Sequence, residues 1–223
     1  MNRIRVIGVA LVAVFAMSVG ASAAIGHPSA FKTAKFPVTF TGKGGVAKFE
    51  SAGGSKIECK ESKSKGEVKG ELEASVTIEY KGSCAISGIL KGTCAEPIKT
   101  SELLAQPGDE LSAAGTELPA GQKFTSKAKA GGLIAEPECA GTKIKVEGNL
   151  VCENPEPNKL QTTGKVVCAQ VKAGEQKFTA IKIGTKARET KLELVATAIF
   201  LKEKDAQTTT EELTFTSAVE QTS

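Results

Sequence analysis

Apolar and polar residues alternate with a period of two through most of this chain, the pattern of β-strands that bury one face and wet the other. Ile57 and Cys59 alternate with Lys56, Glu58 and Lys60, and Val76, Ile78 and Tyr80 alternate with Thr77, Glu79 and Lys81. The same rhythm runs through Ile144, Val146, Gly148, Leu150 and Cys152. It returns in Leu192, Leu194, Ala196, Ala198 and Phe200, and again in Leu213, Phe215, Ser217 and Val219. Each run predicts a strand. Shorter or less regular alternation predicts further strands over 36–41, 45–50, 66–72, 132–137, 164–171 and 178–183.

Between these runs stand glycine clusters: Gly-Lys-Gly-Gly at 42–45, Ala52-Gly53-Gly54-Ser55 and Ala173-Gly174-Glu175. They are read as tight turns, where glycine supplies the positive backbone angles. Residues 104–122, with Pro107-Gly108-Asp109-Glu110 and Pro119-Ala120-Gly121, have the least periodicity; they predict a long connection or a subdomain junction, with a short helix allowed over 101–105. Gly54-Ser55-Lys56-Ile57 and Gly141-Thr142-Lys143-Ile144 echo one another, each opening an alternating run. The fold expected is all-β, an antiparallel sandwich or irregular barrel spanning residues 36–223 as one domain.

The first residues alter the picture of compartment. Arg3 and Arg5 precede an apolar run over 6–19 and then Ala21-Ser22-Ala23, the order of an export signal over residues 1–23, followed by a flexible end over 24–35. The run is shorter than the roughly 20 residues that a membrane-spanning helix needs, and no second one follows, so the expectation is a secreted, extracellular protein without a membrane span. Removing that segment takes two of the three arginines, leaves Arg188, and lowers the net charge from +4 to about +2. With charges of both signs interspersed, one Tyr and no Trp, nucleic acid is not an expected partner.

Six cysteines, Cys59, Cys84, Cys94, Cys139, Cys152 and Cys168, lie beyond the export segment, where an oxidising compartment lets them form disulfides. Sequence alone leaves every pairing open. Proximity favours Cys84 with Cys94 and Cys152 with Cys168, leaving Cys59 and Cys139 to join the two halves.

Chemistry is sparse. The only histidine, His27, is remote from any nucleophile, no Gly-x-Ser-x-Gly elbow occurs, and the Ser-x-x-Lys matches at Ser29, Ser62 and Ser126 lack the partner motifs of penicillin-interacting enzymes. Cys-x-x-Cys is missing, Asp109 and Asp205 are the only aspartates, and there is no phosphate-binding glycine loop, so neither a metal nor a cofactor is expected. The glutamates alternate with lysines on strand faces that read as solvated. Tyr80 reads as one side of a packed strand.

Gly54-Ser55-Lys56-Ile57-Glu58-Cys59, Gly66-Glu67-Val68-Lys69-Gly70, Val76-Thr77-Ile78 leading to Gly82-Ser83-Cys84, and Cys94 resemble a group of exported, β-rich proteins of high-GC Gram-positive soil bacteria. The likeness extends over Cys139 and 144–148, covering roughly 36–150. That group has no assigned activity, so the resemblance implies none. Cys152 and Cys168 are additions to its pattern, which favours pairing them together. The functional expectation is a secreted or cell-surface-associated protein without catalysis, binding a protein or a cell-wall component. A secreted hydrolase of unfamiliar type is the alternative, and so is an inhibitor of secreted enzymes presenting the segment between Cys84 and Cys94.

Overall fold

The computed structural model describes residues 28–111, 117–199 and 201–223. The expected export segment and His27 lie outside them. Twenty strands follow in chain order: β1 (Phe31–Lys32), β2 (Val38–Gly44), β3 (Ala47–Ser51), β4 (Lys56–Cys59), β5 (Glu61–Gly70), β6 (Glu73–Lys81), β7 (Ala85–Ser87), β8 (Gly92–Thr93), β9 (Ile98–Lys99) and β10 (Leu103–Leu111). Then come β11 (Glu117–Ser126), β12 (Leu133–Ala135), β13 (Glu138–Cys139), β14 (Thr142–Glu153), β15 (Gln161–Cys168), β16 (Gln170–Lys172), β17 (Glu175–Gln176), β18 (Ile181–Lys182), β19 (Leu194–Ala198) and β20 (Leu201–Gln221). No helix occurs among the described residues, so none is long and apolar enough to cross a membrane.

Eight strands close into an antiparallel barrel in the order β2–β5–β6–β10–β11–β14–β15–β20 and back to β2. Its interior holds Phe40, Val68, Val76, Leu103, Phe124, Leu150 and Val166, buried side chains of the main core. The free space left inside is only about 50 Å³, in keeping with an eight-stranded barrel just wide enough for its own side chains to fill.

Two strands are too long for this barrel and build a second one. Residues 144–148 of β14 pair with β19, β19 pairs with 201–205 of β20, 205–208 of β20 pair with β3, and β3–β4–β7–β8 continue the ring. Cys94, next after β8, bridges Cys139 of β13, and β13 pairs back with the start of β14. The ring is thus closed at a disulfide. Gly148 marks the residue where β14 passes from one barrel to the other: its φ is +117°, and a Cβ there would strike the Glu193 carbonyl. Only glycine accepts both conditions.

Four expectations need correction. Residues 103–111 and 117–126 are strands, not a long connection, a junction or a short helix, because β10 and β11 pair in continuous register from Leu103↔Ser126 to Asp109↔Ala120. Alternation fails near Pro107, Gly108, Asp109 and Glu110 because both faces of the strand are covered there. Asp109 accepts from the Ser29 hydroxyl at 2.6 Å, while Ile181 packs where Gly108 lacks a side chain. Residues 28–35 are not a loose end: Phe31 is buried, and β1 adds to the end of β20.

The glycines at 42 and 44 are not in a turn but within β2. Neither has a positive φ; they are glycine because their inner sides face Ser64, Ser62 and the Glu211 carboxylate across the strand pairings, leaving no room for a Cβ. Gly54 (φ +81°) and Gly174 (φ +72°) are turn residues as expected.

The cysteines pair as Cys59–Cys84, Cys94–Cys139 and Cys152–Cys168, and no described cysteine is free. Only the last pair agrees with the proximity reading. Cys84 and Cys94 do flank one hairpin, and the Cys94 N–H donates to the Cys84 carbonyl at 2.9 Å. Each cysteine nevertheless bonds to the strand on its other flank: β4 pairs with β7 beside Cys84, and β13 lies beside Cys94.

Candidate functional site

The second barrel is not filled. Its cavity measures about 280 Å³, nearly twice the roughly 150 Å³ apolar cavity that suffices for a benzene molecule. The walls are Phe49 of β3, Ile57 of β4, Ile86 of β7, Ile144 and Val146 of β14, and Ala196 and Ala198 of β19. The echo between Gly54-Ser55-Lys56-Ile57 and Gly141-Thr142-Lys143-Ile144 has a structural counterpart. Both are hairpin turns with a positive-φ glycine, at +81° and +72°, that set an isoleucine on the cavity wall.

Two turns form the rim. One carries Ile89 and Leu90 between β7 and β8; the other carries Ile199 between β19 and β20. Ile89 is 61% exposed, Ile199 65% and Leu201 50%, so the opening is apolar on two sides. Ile199 occupies the hairpin tip with φ +55°, a left-handed conformation that a β-branched residue adopts only under strain. Asparagine or glycine is the usual choice at such a tip.

Phe49 closes the cavity toward the first barrel, stacking edge-on against Tyr80 with ring centroids 5.2 Å apart. Beside them runs a file of polar residues on β20. Counting back from Leu213 and Phe215 in steps of two, the same face carries Glu211, Thr209, Gln207, Asp205 and Glu203. Glu211 sits inside the first barrel, accepting from the hydroxyls of Ser62 and of Ser64, the latter at 3.0 Å. Burial raises its carboxyl above the usual range, opposed by those two hydroxyls.

Glu203 and Asp205 border the second cavity. Glu203 accepts from the Ser51 hydroxyl at 2.6 Å and the Gly53 N–H at 3.2 Å. Asp205 is 3% exposed. Among the described residues its carboxyl accepts only the N–H of Ala206, at 3.0 Å. Burial pushes that carboxyl up to about 7, against the pull of the Ala206 N–H and with the charges of Glu50 and Glu203 adding to the rise. Among the described residues, no lysine, arginine or histidine borders this cavity.

The Ser-x-x-Lys matches are not assembled into sites. In a strand, residues three apart point to opposite faces; Ser62 is buried against Glu211 while Lys65 is exposed. Ser29 is occupied by Asp109, and Ser126 is buried whereas Lys129 is exposed. Tyr80 is buried as the strand pattern predicts. The strand-face glutamates and lysines do pair at the surface, as Glu58 with Lys56 at 3.2 Å and Glu79 with Lys99 at 3.0 Å. Among the described residues no cluster of three or more His, Cys, Asp or Glu is placed to hold a metal ion.

In the sequence Asp205 stands out only as one of two aspartates. The parity of Leu213 and Phe215, carried back along the strand, is the signal that would have found it. Compared with protein-family models, with curated proteins and with solved structures, the chain matches none.

Proposed function

We propose that this chain is an exported binding protein without catalysis, whose second barrel takes up a small apolar ligand. The observation that carries this reading is the unfilled cavity of about 280 Å³ behind a rim of exposed Ile89, Ile199 and Leu201. Exposed apolar side chains gathered at one opening mark a ligand or partner site. A strained apolar residue at a turn is retained where the surrounding function needs it. Three disulfides suit an oxidising environment outside the cytoplasm.

Calorimetric titration of the disulfide-bonded chain with 1-octanol tests the reading. Saturable binding with a negative heat-capacity change is expected, together with its loss in Ala198→Trp, where the indole fills the cavity. Absence of saturable binding to the unaltered chain overturns it.

One observation favours a second reading as an inhibitor. The segment between Cys84 and Cys94 is anchored at both ends, through Cys59 and Cys139, and displays Ile89. A rigid exposed loop of this kind loses little entropy on docking to an enzyme. Inhibition of a panel of secreted proteases, abolished by Ile89→Asp, would favour it over ligand uptake.

A further inference from the structure

We propose that the ligand of the second barrel is a small primary amine, its hydrocarbon body within the isoleucine walls and its ammonium group on the Asp205 carboxyl. This rests on the reading of the cavity as a site for a small apolar ligand and names the head group that such a ligand carries.

Among the described residues, the cavity border holds two acidic side chains and no basic one. Asp205 is almost wholly buried and, among the described residues, belongs to no ion pair and receives a single hydrogen bond, from the Ala206 N–H. Glu203 is held by the Ser51 hydroxyl and the Gly53 N–H, neutral donors that bring no positive charge to the border. The lysines of the same strand cannot supply the missing cation. Lys202 and Lys204 have the opposite parity, and Lys204 is engaged outside by Glu193 at 2.6 Å.

A buried carboxyl without a counter-charge is costly unless something arrives to pair with it. An ammonium group supplies both the charge and three hydrogen-bond donors, enough to meet the open Asp205 oxygen with Glu203 close by. A carboxylate-headed ligand would face two acidic groups at short range and be repelled. An alcohol would satisfy one lone pair and leave the charge uncompensated.

The test compares three probes of equal chain length, octylamine, 1-octanol and octanoate, by calorimetric titration of the full disulfide-bonded chain at about pH 8, where the amine is cationic. Octylamine is expected to bind at least about tenfold more tightly than octanol, because charge-assisted hydrogen bonds exceed neutral ones by that margin. Octanoate is expected to be weakest. In Asp205→Asn the amine should fall to the level of the alcohol while alcohol binding is kept.

Equal affinities for amine and alcohol in the unaltered chain, or tightest binding by octanoate, overturn the amine head and leave the apolar-ligand reading standing. Failure of all three to saturate overturns both. The comparison on the unaltered chain decides the matter even where Asp205→Asn does not fold.

Discussion

The side-chain N–H of Gln207 donates to the Tyr80 hydroxyl at 2.9 Å, with both residues buried where the two barrels meet. Tyr80 is also the edge-on partner of Phe49, so one side chain ties the packed interior of the first barrel to the wall of the open second one. Tyr80→Phe removes the acceptor and leaves a buried donor unmatched. It is expected to lower stability by about 1–3 kcal/mol, read from urea unfolding followed by far-ultraviolet dichroism. An unchanged midpoint would count against the bond.

The glycines of β2 give a paired test. In Gly42→Ala the new Cβ would overlap the Ser64 hydroxyl and lie 2.8 Å from Leu213 Cδ2, whereas at Gly45 nothing lies within 4 Å. Overpacking at 42 is expected to cost about 1–3 kcal/mol. Gly45→Ala, with its open surroundings, is expected to be neutral or stabilising by up to about 1 kcal/mol. Equal effects at the two positions would show that β2 does not need its glycine for space.

The cystine at Cys94 and Cys139 closes the second ring, and the pair are 45 residues apart. Replacing both with alanine is expected to cost about 4 kcal/mol by loop-closure entropy, with loss of octanol binding ahead of global unfolding because the cavity wall opens at that seam. Retained binding at full affinity would place the ligand elsewhere.

Stability should fall from about pH 5 to pH 8, the reverse of the acid lability common in proteins. Glu110 is 0% exposed, and neither carboxylate oxygen has a hydrogen-bond partner among the described residues. Burial, with the nearby charge of Glu153 adding and that of Lys177 opposing, pushes its carboxyl up to about 8. Between its ordinary value and about 8, the folded chain holds a proton that the unfolded chain has released, so folding weakens as pH rises through that window. The cost reaches on the order of 4 kcal/mol, and Asp205 contributes in the same direction up to about 7. Exposed carboxylates such as Glu58 and Glu102, lowered by their lysine partners, lose their contribution only as pH falls below the ordinary carboxylate value, and it is weak through solvent screening, so they leave the slope between about pH 5 and 8 unchanged. Urea midpoints across the range check this, with Glu110→Gln expected to flatten the slope.

Relief of strain at the rim should separate stability from binding. Ile199→Gly keeps the left-handed backbone of the tip but removes the cost of about 1–2 kcal/mol that a Cβ imposes there, and is expected to raise stability by up to about that amount. The same change takes an apolar side chain from the opening and should weaken octanol binding by less than about tenfold.

Much of the fold was legible along the chain, and the failures have physical causes. Strands β4, β6, β14 and the end of β20 were visible because one face of each meets a core and the other meets water. Strand β10 was hidden because both of its faces are covered near Asp109, which erases the alternation. The role of Gly42 and Gly44 was hidden for a different reason: glycine serves both positive φ and close approach, and a local reading cannot tell which. Asp205 escaped notice because a polar file directed inward has the same spelling as one directed to solvent.

Period-two patterning of side chains, a property of each strand taken alone, was enough to establish an all-β protein with cysteines to staple it. Closure into two barrels, the choice of disulfide partners and the open cavity all depend on which strands become neighbours. Those pairings join residues far apart in the chain, as when Cys59 meets Cys84 across β4 and β7 or β20 reaches β2. Packing of the whole molecule selects them, because only the closed arrangement buries the apolar faces and satisfies the backbone at the strand edges.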